Sequence, residues 1–114
     1  MAFRFQHREE KGVVILSLQG ELDASQVITF KKDINIFLQK EAPLVLVDCS
    51  SLEFVDSTGL GSLISLLRKV ESKGGKLAFT ALSNEVASIF EITRLHKLFQ
   101  IFPTMSNALQ SLLQ

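Results

Sequence analysis

A single α/β domain, built on a small mixed β-sheet flanked by about four helices, is the fold class that this sequence predicts. Three observations predict it: two strands open the chain, an uninterrupted apolar run rich in β-branched residues follows, and helical stretches then alternate with further strands. With 114 residues, the chain suits one domain, 1–114, able to close a single core without disulfides or a metal. No repeat, low-complexity segment or linker divides it.

Phe3, Phe5 and His7 alternate with Arg4, Gln6 and Arg8, a period-two pattern that predicts a strand. Lys11-Gly12 then turns the chain into a second strand from Val13, which Gly20 is expected to end. After Glu21-Leu22-Asp23, the residues Val27, Phe30, Ile34, Phe37 and Leu38 fall at helical spacing, with Asp23 or Ser25 as N-cap, and this first helix ends before Pro43. Leu44-Val45-Leu46-Val47 has the composition of a strand covered on both faces and is placed centrally in the sheet. A loop from Asp48 to Asp56 leads to a second helix starting near Ser57 or Thr58, whose inward positions are Leu60, Leu63, Ile64, Leu67 and Val70. Lys73-Gly74-Gly75-Lys76 stops it, because glycine accepts the left-handed backbone past a helix and lysines suit the negative helix end. Leu77 to Leu82 predicts a strand, Ser83-Asn84 caps a short third helix carrying Val86, Ile89 and Phe90, and Leu98 to Phe102 predicts the last strand. Pro103-Thr104 opens a final helix with Met105, Ala108, Leu109 and Leu112 inward. The order is β-β-α-β-α-β-α-β-α, and its crossovers are expected to be right-handed.

Composition removes several function classes. Twelve basic residues balance twelve acidic ones, and no stretch gathers the Lys and Arg that a phosphate-backbone reader needs, so nucleic acid is not an expected partner. Cys49 is the only cysteine; it can form no internal disulfide, and it reads as a small buried hydrophobe in a reducing compartment. The charged start MAFRFQHREE lacks the apolar core of a signal peptide, and no apolar run is long enough to span a bilayer. A soluble, cytoplasmic chain without membrane insertion is the expectation. Nothing in the pattern sets an oligomeric state.

The segment Val55-Asp56-Ser57-Thr58-Gly59-Leu60-Gly61 joins the loop after the central strand to an amphipathic helix. Asp56, Ser57 or Thr58 can cap that helix, each such bond contributing roughly 1 kcal/mol. Capping alone does not call for two glycines in the first turn, where each costs roughly 0.5 to 1 kcal/mol relative to alanine. Their presence suggests close approach to this backbone. A serine hydroxyl at an exposed helix start lies beside unpaired N–H groups and the positive end of the helix dipole, which tolerate an added phosphate. Ser57 is thus a candidate switch.

GELD at Gly20 to Asp23, together with VDSTGLG and an apolar helix ending in KGGKL, resembles the anti-sigma factor antagonists of the STAS domain superfamily over essentially the whole chain. The resemblance implies a STAS-like domain in which the first hydroxyl residue after the Asp of D-S-[ST]-G-L is phosphorylated by a serine kinase that doubles as an anti-sigma factor. That position is Ser57, with Thr58 the weaker candidate. It implies that the unphosphorylated form binds the anti-sigma factor and frees a sigma factor, and that the phosphorylated form awaits a serine phosphatase. The kinase would supply ATP and magnesium, so the domain itself needs no cofactor. The partner surface is expected to comprise Asp23, Asp56, Ser57, Thr58, Gly59 and Leu60. Asp23 has two readings, a contact to the kinase near its nucleotide or an N-cap of the first helix.

An enzyme is the competing class, with Ser57 as nucleophile. V-D-S-T-G lacks the first glycine of G-x-S-x-G, and only His7 and His96 could act as base. No P-loop is present and no His, Asp and Glu cluster has metal spacing, so no catalytic and no metal-binding residues are assigned. A binding subunit with the same fold and another client, in a stressosome-like or transporter-associated assembly, is the other alternative. Phe90, Phe99 and Phe102 read as core, Phe54 as a partly exposed docking anchor, and Lys69, Lys73 and Lys76 as a solvated face.

Overall fold

The computed structural model describes residues 2–114, the side chain of Phe37 excepted. Five strands form one sheet in the order β1-β2-β3-β4-β5: β1 is Arg4–Glu10, β2 Val13–Leu22, β3 Leu44–Val55, β4 Lys76–Thr80 and β5 Gln100–Phe102. Only β1 runs antiparallel to its neighbour, from Arg4 opposite Gln19 to Glu10 opposite Val13; the other three pairings are parallel. The sheet is therefore mixed, and β3 is its central strand.

Helices α1 (Ala24–Phe37), α2 (Ser57–Ser72) and α3 (Asn84–Ile92) are the crossovers between parallel strands, and α4 (Met105–Leu112) ends the chain. The apolar stripes of α1, α2 and α3 share a core with Leu16, Leu18, Val45, Val47, Cys49 and Phe79 on one face of the sheet. On the other face, Ala108 and Leu112 of α4 cover Val13, Ile15, Leu46 and Ala78. In the first half of β3, even-numbered and odd-numbered residues thus enter different cores, which is why Leu44–Val47 reads as continuously apolar. Two groups of phenylalanines build the larger core: Phe3 and Phe5 meet Phe30 edge-on at 5.5 and 5.2 Å, and Phe79, Phe90 and Phe99 stack within 5.8 Å of one another.

Four boundaries depart from expectation, one of them the end of β4, which stops at Thr80 and not at Leu82 because Ala81 turns to φ +61. Gly20 does not end β2; at φ +88, with an added Cβ only 2.2 Å from the Ala2 carbonyl oxygen, it lets the strand bend and continue to Leu22. The expected loop from Asp48 is instead the second half of β3, pairing with β2 through Val55 opposite Leu22 across two register shifts. The last strand is shorter than Leu98–Phe102, because a 3₁₀ turn over Leu95–Lys97 carries the chain to Gln100. Of the inward positions expected in α1, Val27, Phe30, Ile34 and Leu38 join the core; the Phe37 side chain lies outside the described residues. The continuation of β2 and β3 matters, since it brings their ends to one rim.

Candidate functional site

That rim is where α1 and α2 begin. The amide of Asp56 donates to the Leu22 carbonyl at 3.2 Å, which sets the two strand ends side by side. From there Asp56 uses both carboxylate oxygens. Oδ1 accepts from the Gly59 amide at 2.8 Å and the Thr58 hydroxyl at 2.7 Å, capping α2. Oδ2 accepts from the Ala24 amide at 3.2 Å, the first residue of α1. One side chain therefore closes the N-termini of two helices, and these hydrogen bonds hold its carboxyl below the ordinary carboxylate range. The Thr58 hydroxyl is the main cause, with the Gly59 amide next; desolvation opposes them, and the Ala24 amide contributes less.

Asp23 caps α1 in the same manner: its Oδ1 accepts from the Ser25 amide at 3.0 Å and the Ser25 hydroxyl at 2.6 Å. The N-cap reading of Asp23 is thus met, and its position next to Ala24 also keeps it beside Asp56. Both carboxylates are half-buried. Ser57, the first residue of α2, is exposed, and among the described residues no hydrogen bond engages its hydroxyl. Thr58 is exposed too, but its hydroxyl is committed to Asp56. Of the two hydroxyls at this helix start, only that of Ser57 is both accessible and unengaged.

Gly59 and Leu60 lie beneath the surface. A Cβ on Gly59 would stand 2.3 Å from the Leu22 carbonyl oxygen and 2.7 Å from a Val55 methyl, so the close approach signalled by this glycine is made by the chain's own strand end. Leu60 is 8% exposed and packs in the larger core. Gly61 meets nothing within 4 Å. Phe54, directly before the site, is 44% exposed and stands opposite Glu21. The sequence also missed Ala24, whose contribution is a backbone N–H to a carboxylate 32 residues away; no local pattern could signal it.

The histidines stand apart from this arrangement. His7 lines a cavity with Glu9, Lys40 and Pro43 at the N-terminal end of β3, whereas Ser57 follows its C-terminal end. His96 lies in the 3₁₀ turn, 3.4 Å from the Phe90 carbonyl oxygen. Cys49 is fully buried in β3, and burial, reinforced by the Asp48 carboxylate, pushes its thiol far up out of the thiolate range. Among the described residues no group of three His, Cys, Asp or Glu side chains could hold a metal ion, and no helix is long and apolar enough to cross a membrane.

Comparison with known proteins gives this rim a context. Residues 4–108 match the family model of the STAS domain. A Thermotoga neapolitana protein provisionally named an anti-sigma factor antagonist is 33% identical over 107 residues, covering 93% of this chain and 95% of that one. The anti-sigma F factor antagonist of Paenibacillus polymyxa is 27% identical over 114 residues, covering 98% and 97%. Among solved structures, an anti-sigma factor antagonist from Mycobacterium paratuberculosis superposes with a TM-score of 0.88 at 24% identity, over 99% of this chain and 96% of that one.

Proposed function

This chain belongs to the STAS domain family, and from that premise we propose that it is an anti-sigma factor antagonist whose docking is gated by phosphorylation of Ser57. In the unphosphorylated state the rim formed by Asp23, Asp56, Ser57 and Thr58 docks on an anti-sigma factor that is also a serine kinase, with Gly59 and Leu60 as its floor, and a sigma factor is released. Phosphorylation of Ser57 ends docking, and a serine phosphatase restores it. The kinase brings ATP and magnesium; the domain contributes a hydroxyl and a surface, and performs no catalysis of its own.

The observation that carries this reading is the state of the Ser57 hydroxyl: exposed, unengaged and placed on the first residue of a helix. A kinase can reach it without unfolding anything. The helix dipole tolerates the added charge, yet the phosphate cannot take over the capped Gly59 amide, because Asp56 already accepts from it. It must project from the rim, beside the Asp56 and Asp23 carboxylates. Like-charge repulsion and the desolvation of a dianion then oppose any partner that fits the unmodified surface.

Incubation with a serine kinase of the anti-sigma factor type, ATP and magnesium, followed by mass mapping, tests the site directly. One phosphate on Ser57 is expected. Ser57→Ala should bind the kinase and accept none, whereas Ser57→Asp should fold normally and bind about tenfold more weakly or worse. Equal binding by wild type and Ser57→Asp would overturn the gating mechanism.

A further inference from the structure

The sheet has one long open edge, and its four charged side chains are of both signs, Arg4 and Arg8 against Glu9 and Glu10. Strand β1 pairs with β2 along all seven residues from Arg4 to Glu10 without a register shift, and with no other strand. Natural edges are guarded by proline, bulges, short length or charged side chains. β1 has no proline and no bulge. Its charges, in the order Arg4-Phe5-Gln6-His7-Arg8-Glu9-Glu10, include a cation at one end and an anion at the other.

Geometry limits how a second copy could add to this edge. In an antiparallel pair, residues directly opposite share a face of the sheet, and a two-fold axis perpendicular to the sheet leaves each face in place. The axis must therefore pass at a residue, which pairs with its own copy. An axis at Gln6 puts Arg4 opposite Arg8 twice, and an axis at Arg8 puts that arginine opposite itself. An axis at His7 pairs all seven residues: Arg4 with Glu10 twice, Phe5 with Glu9, and Gln6 with Arg8. It is the central register that sets no like charges directly opposite.

The ends of this register are also suited to meet. Arg4 and Glu10 are exposed, and among the described residues the Arg4 side chain has no hydrogen bond or ion pair. The Glu10 carboxylate has only a loose contact with Arg8, at 3.8 Å. Phe5, on the opposite side of the strand, is already seated against Phe30, so docking asks little of the core.

We propose that β1 is a homodimerisation edge, at which a second copy of this chain adds antiparallel about His7 to continue the sheet, clamped at both ends by Arg4–Glu10 pairs. Since β1 is antiparallel to β2, and the two-fold reverses strand direction, the two Ser57 rims lie at opposite ends of the joined sheet. Dimerisation leaves both accessible and does not depend on the function proposed for them.

Sedimentation equilibrium of the full chain over a wide concentration range tests this. The wild type should dimerise reversibly. Arg4→Glu and Glu10→Arg should each weaken self-association by about tenfold or more, because each turns two attractive cross-strand pairs into repulsive ones. Mixed together, the two variants should recover association as a heterodimer, since every end pair is then attractive, and that recovery also shows that both variants are folded. A wild type that stays monomeric at all concentrations, a dimer indifferent to either reversal, or variants that weaken yet fail to recover on mixing would each overturn the proposal.

Discussion

Asp56 ties together two helices that begin 33 positions apart in the chain, Ala24 and Ser57, and it does so as a carboxylate. Substitution by alanine removes a cap from α2 and an acceptor from α1, at a cost of about 1 to 2 kcal/mol at neutral pH, measurable by urea unfolding. The penalty must depend on pH in a defined direction. Folding lowers the Asp56 pKa, so the unfolded chain takes up this proton more readily, and the stability contributed is fully present above the unfolded value of about 3.9. It is lost as pH falls through the lower folded value. The stability gap between wild type and Asp56→Ala should accordingly narrow as acid is added below about pH 4; a gap that stays constant would show that charge on Asp56 is immaterial. The cap was legible in the sequence as an Asp before an amphipathic run, whereas its second bond was not, since the Ala24 amide is brought to it only by the pairing of two strand ends.

At the level of elements, the two glycines of the α2 first turn separate a packing role from a merely tolerated one. Gly59 faces the Leu22 carbonyl, a rigid backbone atom, and Gly61 faces open space. Gly59→Ala should destabilise the fold by about 1 to 3 kcal/mol through overpacking, even though alanine favours a helix. Gly61→Ala should stabilise it by up to about 1 kcal/mol. Thermal unfolding of both variants checks the contrast, and equal effects would mean that α2 shifts freely against the end of β2. The sequence signalled that something approaches this backbone closely but could not say that the neighbour is internal. The second half of β3 escaped notice for a related reason: its inward residues run Val45, Val47, Cys49 and then Leu52 and Val55. Spacing changes from two to three where the register with β2 shifts, so no simple strand period survives, and Asp48, Ser50, Ser51 and Glu53 make the segment look like a loop. The helices were easier to read because each lays a 3.6-residue stripe on a single face of the sheet and is bounded by a cap, Asp23, Asp56, Ser83 or Thr104.

Across the whole molecule, the Ser57 rim lies outside both cores. The larger core sits between the sheet and α1, α2 and α3, the smaller one between the sheet and α4, and the Ser57 hydroxyl contacts neither. A charge added there has no packed element to displace, so a switch at this position acts on what docks and not on how the chain folds. Ser57→Asp should therefore unfold within about 0.5 kcal/mol of wild type, as expected for an exposed site without partners. Its amide hydrogen exchange should match wild type throughout β2, β3 and β4 and differ only in the first turn of α2 and the start of α1, which Asp56 joins. The alternative, a conformational switch, predicts protection lost across the strands that α2 covers and a stability drop well above that margin. Paired with a binding measurement on the same variant, the exchange pattern separates the two mechanisms: weakened docking on an unchanged fold is the signature of a surface gated by charge alone.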